Sequence, residues 1–395
     1  MPHSNAAARR IKTVIFGLGL GLALHMSGYW WSIFSHRIPQ CQFENCVADF
    51  LAFYAEGKLM WENPRWLYDL DHQLIYQNSV AHTEKVLPFA YPPITAAFYA
   101  ALAVLPFESA FLAMSLLNIL LIAASLRLLI KSLQLSADQR DWLLLFAFCN
   151  FAVQAAVFNA HTSALVLYFL TRHVVAQKEH EYAHAGVWAA LLSIKPQYLL
   201  IPHLTLFVQK KWRAVAVGTA ATFALTVGVF LWLGNETTAD YIRLLRHMVT
   251  HDADWWSEWR AMHNLRALTT FWLVPNWHIY TWWGGVATIL GLIAWVNWHR
   301  HQQPNGFAAC WIINSLALVL VSPHLFTHDL SVLIIPCALL LSMGKPQVPI
   351  GLGVGLILIA LLPAVNDMLP TIMATTLAIL FLLSLGLTKV RWAQS

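Results

Sequence analysis

YPPITAAFYAALAVL, residues 91–105, is the stretch on which the topology of this chain turns. It is apolar, it is opened by two prolines, and it is short for the roughly 20 residues that cross about 30 Å of hydrocarbon. Read as a full span, it places Arg127, Lys131, Arg140, Arg172 and Lys178 on the outer side. That contradicts the cytoplasmic bias of Lys and Arg. Read as a short helix dipping in from the outer face, it moves every later loop to the opposite side. Arg9, Arg10, Lys12, Arg127, Lys131, Arg140, Arg172, Lys178, Lys210, Lys211, Arg213, Arg300, Lys345, Lys389 and Arg391 then become cytoplasmic. Of the acids, only Asp138, Asp141, Glu179 and Glu181 remain inside.

The second parse gives spans at roughly 12–33, 107–131, 141–158, 162–177, 183–195, 196–208, 213–233, 277–298, 306–322, 330–343, 347–364 and 369–388. The expectation is an all-α integral membrane protein, a single polytopic bundle over 1–395 of about 12 transmembrane helices (11–13), with both termini cytoplasmic. Composition agrees. The 395 residues are 58% hydrophobic and 11% charged, with 19 Trp, whereas soluble domains carry roughly 25% charge. The apolar runs do not alternate with period two, which argues against an outer-membrane barrel. The run from Val14 to Ile33 lacks a small-x-small cleavage site before the polar loop, so it reads as a retained first helix. Cys149, Cys310 and Cys337 fall inside apolar runs and read as core residues. Cys41 and Cys46 precede Asp49 in the first outer loop, where a disulfide and two free thiols stay equally open.

The spans 183–195 and 196–208 are about thirteen residues each, about 20 Å long. They meet at Lys195-Pro196-Gln197. Proline frees backbone groups there, and a lysine at such a break is expected to enter a polar cavity open to the outer side. The first loop 34–90, the turn at Asn159-Ala160-His161, the Lys195 break, the loop 234–276 and the segment 322–330 all fall on that outer side. Loops 34–90 and 234–276 are expected to form a roof over an active site. The cytoplasmic connections are short and basic and hold no phosphate-cradling glycine loop, so a nucleotide-activated donor has no docking place. No nucleic-acid partner is expected.

The outer face carries the chemistry. In 49–71, DFLAFYAEGKLMWENPRWLYDLD, positions 49, 53, 56 and 60 share one helical face, so Asp49 and Glu56 are expected to look into one cavity. Asp49 reads as a general base or, more simply, as a helix cap. Lys195 reads as the partner of a phosphate or of an acid such as Asp49, with a structural ion pair as the alternative. His324 and His328 lie four apart and would share a face if the segment is helical. A metal needs a further ligand, and Asp329 would point about 100° away from His328. Hydrogen bonding to phosphate or hydroxyl groups fits better, and no metal or other cofactor is expected. The tryptophan-rich loop 251–283 holds Arg260 and Arg266, which suit a phosphate, although tryptophan belts are ordinary at membrane interfaces. Tyr54, Tyr91, His161 and Gln197 complete the candidate binding residues.

The ordered set DFLAFYAEGKLMWENPRWLYD (49–69), FAYPPITAAFYAALAVLPF (89–107), IKPQ (194–197) and SPHLFTHDL (322–330) resembles glycosyltransferase family 87. The resemblance covers roughly 12–340. It implies a GT-C-type helical fold and a mannosyltransferase-like activity that uses a polyprenyl-phosphate sugar. It also implies Asp49 as general base, with the Lys-Pro-Gln break and the Ser-Pro…His segment bordering the donor phosphate. Many relatives carry Ser-Pro-x-Ser-Trp before the histidine where this chain has Leu325-Phe326, so the roles of His324 and His328 stay open.

The reading is an inverting sugar transfer on the extracytoplasmic face of a bacterial cytoplasmic membrane, with mannose as the favoured sugar. The donor is a polyprenyl-phosphate sugar, and the acceptor is a lipid- or glycan-linked hydroxyl within the lipid environment. Two other classes compete. A transporter or flippase for lipids or sugar-lipids would also use an intramembrane lysine and broken helices. A membrane acyltransferase would use an intramembrane histidine.

Overall fold

A computed structural model of the chain describes residues 48–81, 83, 86–250, 262–273 and 277–343, together with scattered positions between 13 and 27. All regular structure among them is helical. The expected spans at 347–364 and 369–388, most of the first span, Cys41, Cys46 and Arg260 lie outside the described residues.

Within the polar stretch 34–90, most of the described residues are helical. Helix α1 (Ala48–Glu62) runs into a 3-10 turn at Pro64–Trp66, and α2 (Leu70–Asn78) follows, capped by the Asp69 carboxylate on the His72 amide at 3.0 Å. Two buried glutamines of α2 then hold the chain that leads on to the prolines at 92 and 93. Gln73 binds Leu67 O and the Phe89 amide, and Gln77 binds both the amide and the carbonyl of Leu87. They satisfy backbone groups that no strand partner meets.

Residues 91–105 hold a short helix, as their length and prolines imply. Helix α3 (Pro93–Leu102) begins at paired prolines, where a missing N–H costs nothing. Its ten residues cover about 15 Å, half a bilayer. It crosses α1 at Gly57, where a Cβ would lie 2.7 Å from the Tyr99 carbonyl group. Pro106 turns the chain into α4 (Phe107–Ser132).

Residues 141–158 are not one straight span. Helix α5 (Ala137–Cys149) starts earlier, on a capping box in which Ser136 and Gln139 satisfy each other's amides. It meets α6 (Phe151–Phe158) at a 55° bend. Asn150 makes the break: its side chain accepts from the Ala152 amide at 2.9 Å and so starts a second helix.

Helix α7 (Ser163–Lys178) lies along α4, and α8 (Tyr182–Leu191) packs on both α7 and α10 (Trp212–Leu233). The α8–α10 crossing is close because Gly186 faces Gly218 and the Ala214 carbonyl. Between α8 and α9 (Leu200–Val208) the chain passes through two 3-10 turns, Leu192–Ile194 and Pro196–Tyr198, with Lys195 non-helical between them.

The stretch 234–276 contributes α11 (Asn235–Thr250) and α12 (Leu265–Trp272). Arg65 joins α11 to the first loop, with Nε at 2.6 Å from Glu236 and Nη1 at 2.7 Å from Asp240. The last described elements are α13 (His278–Arg300), α14 (Gly306–Val321), a 3-10 helix at Thr327–Leu333 and α15 (Ile334–Ser342).

Three described helices, α4, α10 and α13, are long and apolar enough to cross a membrane, and the bent α5–α6 pair makes a fourth. This is the pattern of a helical membrane protein. The remaining apolar helices are shorter than the twelve-span parse needs; α14, with 16 residues, covers about 24 Å. Phe223, Leu231 and Trp232 on α10 are well exposed, as on a lipid-facing surface. Cys149 and Cys310 are buried and Cys337 half-buried in the core.

Candidate active site

Four segments bring the site together. Asp49 sits in the first turn of α1. Phe53, one turn on, presses its ring edge-on to His161 at 5.5 Å between centroids. His161 lies in the turn between α6 and α7. Ala160 takes a left-handed φ of 48° there, and the Asn118 amide of α4 binds the carbonyls of Ala156 and His161 at 2.8 and 2.9 Å. That clamp fixes the ring's position.

His328 and Asp329 open the 3-10 helix that follows α14. Pro323 and an extended Phe326 keep residues 322–326 out of a helix, so His324 and His328 do not share a helical face. His328 instead lies against His161, with centroids 3.5 Å apart and the rings tilted by 33°. Asp49 Oδ2 faces both rings, 4.0 Å from His161 Nε2 and 3.9 Å from His328 Nδ1.

Lys195 comes from the break below α8. Its ammonium lies 2.5 Å from Asp329 Oδ1, and both side chains are 1% exposed. Lys195 is thus buried against an acid and does not enter an open cavity. Ser163 donates to the same Oδ1 at 2.6 Å and lies 2.8 Å from His161 Nδ1. The other oxygen, Oδ2, is 3.7 Å from His328 Nε2 and 3.4 Å from the Phe326 amide. Tyr91 turns its ring toward Lys195 Nζ at 5.8 Å, and Thr95 caps the Ile194 carbonyl at 2.7 Å. Asp329 is therefore the hub, and Asp49 is the exposed member, with 43% of its side chain open.

Of the sequence-stated candidates, Asp49, Tyr91, His161, Lys195, His328 and Asp329 thus converge. Gln197 reaches the His324 carbonyl at 3.4 Å on the adjoining side. His263 ties α12 to the same segment through Leu325 O and Thr327 Oγ1. Arg266 is buried in α12, with Trp282 at 5.5 Å. Two expectations fail locally. Tyr54 donates to Leu105 O at 2.8 Å and packs on Phe50 and Phe107, away from the cluster. Glu56 is fully buried and makes no hydrogen bond among the described residues, because α3 covers its stretch of α1. Ser163 is the residue that sequence reading missed; its only signal was its place two positions after His161.

Beside the Lys195 break runs an apolar cleft of about 520 Å³, lined by Pro92, Ser193, Pro196, Phe223, Phe230 and Tyr241 among others.

A carboxylate at an open edge, two imidazoles against it and a buried ion pair behind can accept a proton at the edge. They can also meet negative charge close by. The sequence pattern of glycosyltransferase family 87 matches residues 89–323, more than half of the chain. The match includes Tyr91, His161, Ser163 and Lys195 and ends one residue before His324. No curated protein matches the chain.

Proposed function

This chain belongs to glycosyltransferase family 87 and is a membrane glycosyltransferase; from that premise we propose that it moves a sugar, mannose by preference, from a polyprenyl-phosphate donor to an acceptor hydroxyl. The acceptor is lipid- or glycan-linked, and the reaction runs on the extracytoplasmic face of a bacterial cytoplasmic membrane. Both termini lie in the cytoplasm.

Asp49 takes the proton of the acceptor hydroxyl. The freed oxygen attacks the anomeric carbon from the face opposite the phosphate. The bond to the phosphate oxygen breaks, polyprenyl phosphate leaves with the electron pair, and the anomeric configuration inverts. A phosphate leaving group needs charge stabilisation more than it needs a proton, so one carboxylate suffices. The developing charge falls on the side of His328 and Lys195, with Tyr91, Gln197, His324, Arg266 and Arg260 as further contacts to donor and acceptor. The apolar cleft lined by Pro92, Ser193 and Pro196 is the candidate berth for the polyprenyl chain. No metal is required for turnover.

The observation that carries the reading is the position of Asp49. It is the open edge of a cluster that is otherwise buried, and two imidazoles lie within 4.0 Å of its Oδ2. Purified protein incubated with a panel of polyprenyl-phosphate sugars and an acceptor extract should release polyprenyl phosphate with at least one of them. A panel of donors that all remain intact, while nucleotide sugars turn over, would reject the donor class.

A further inference from the structure

Asp49, His161 and His328 offer one ligand atom each, and the three atoms lie within 4.8 Å of one another. Bonds of about 2.0–2.2 Å from Zn²⁺ to nitrogen and oxygen space neighbouring ligand atoms about 3–3.5 Å apart. The Asp49 Oδ2 separations of 4.0 and 3.9 Å exceed that spacing by less than about 1 Å, and the two imidazoles, tilted 33° with centroids 3.5 Å apart, turn slightly when both in-plane lone pairs meet one ion.

The groups behind the rings bear on this. Asp329 is ion-paired with Lys195 and can only accept, so the Ser163 hydroxyl donates to it. His161 Nδ1 lies 2.8 Å from Ser163 Oγ, and the Ser163 amide donates to the same nitrogen at 3.2 Å. A cation bound at Nε2, the atom turned to Asp49, requires the tautomer that carries its proton on Nδ1, toward Ser163 Oγ. His328 differs. Its buried Nε2 makes no hydrogen bond among the described residues and faces Asp329 Oδ2 at 3.7 Å, and its Nδ1 faces Asp49. Asp329 thus stands behind both rings, as a nearby charge for His328 and through the Ser163 hydroxyl for His161. Such a supporting shell orients metal-ligating histidines.

We propose that Asp49, His161 and His328 bind one divalent cation of the zinc class, with Asp329 and Ser163 as its supporting shell. Two imidazoles and one carboxylate favour a borderline cation over Mg²⁺ or Ca²⁺. Three protein ligands leave a coordination position open on the exposed side of Asp49. The site goes beyond the transfer reaction proposed above. Where that reading makes Asp49 the base, cation and acceptor proton compete for one carboxylate, and the cation acts as an inhibitor.

The test does not use activity. Full-length protein, purified in detergent, freed of its tag and stripped with a chelator, is titrated with Co²⁺ as a spectroscopic probe. The expected result is saturable uptake of one Co²⁺ per chain, with visible d–d absorption that Zn²⁺ abolishes and Mg²⁺ does not. His161→Ala and His328→Ala should each weaken binding at least tenfold. Ser163→Ala, which removes only the support behind His161, should weaken it by about 10-fold. Monodisperse wild-type protein that takes up no saturable cobalt overturns the site. So does cobalt bound equally well by a folded His161→Ala/His328→Ala variant. Equal displacement by Mg²⁺ overturns the assignment of cation class.

Discussion

Lys195 and Asp329 lie 134 positions apart and meet at 2.5 Å with both side chains 1% exposed. The pair joins the broken helix below α8 to the 3-10 helix that carries His328. It explains how a cation is tolerated at a helix break in a membrane protein: the charge is matched on the spot, and Ser163 with the Phe326 amide fills the rest of the carboxylate.

Breaking that pair from one side leaves a buried charge alone. Lys195→Met should lower stability by about 3–5 kcal/mol, read as a fall in the thermal unfolding midpoint in detergent. The double variant Lys195→Met/Asp329→Leu should recover part of the loss. A single variant as stable as wild type would show that the lysine is not held as described.

Gly57 sets how closely α1 lies on α3, and so where Asp49 sits. Its missing Cβ would stand 2.7 Å from Tyr99 backbone atoms, whereas a Cβ at Gly284 would meet nothing within 4 Å. Gly57→Ala should cost about 1–3 kcal/mol by overpacking and should reduce transfer. Gly284→Ala should do neither. Parallel melts and turnover assays on the two variants check this.

Arg65 fastens the turn after α1 to α11, but it is 40% exposed on its side chain. Arg65→Ala should therefore change global stability by less than about 1 kcal/mol. Hydrogen exchange should instead rise locally in Asn235–Thr250, because Glu236 and Asp240 lose their partner. Unchanged exchange there would mean that the two segments are held by other contacts.

If a zinc-class cation takes the base's carboxylate, micromolar Zn²⁺ should suppress sugar transfer and excess chelator should restore it, while chelator alone leaves turnover intact. Transfer lost on chelation would make the cation a requirement instead of an inhibitor.

Local signals in the sequence reached some of this. Paired prolines at 92 and 93 and the lack of length made 91–105 a short helix, and α3 is one. Pro196 marked the break at Lys195, and the chain leaves helical geometry there. The run after Asp49 read as a helix, and the helical period correctly placed Phe53 on the face of Asp49. The same period placed Glu56 there too, and it failed because α3 closes over α1 two turns along. Asn150 gave no warning, since an asparagine caps a new helix only when the chain around it bends. The His161–His328 contact and the Lys195–Asp329 pair each join distant segments, and no spacing rule reaches across the 166 residues from Ser163 to Asp329. The shared face of His324 and His328 depended on a helical segment, and the backbone at 322–326 is not helical.

The central claim is that Asp49 removes the acceptor's proton. The direct test is Asp49→Asn, which keeps the size and hydrogen-bonding shape of the side chain and removes only its basicity. The account expects polyprenyl-phosphate release to fall about 10²–10⁴-fold at saturating donor and acceptor, with membrane insertion and the thermal midpoint unchanged. Turnover at the wild-type rate by a folded Asp49→Asn protein would contradict it.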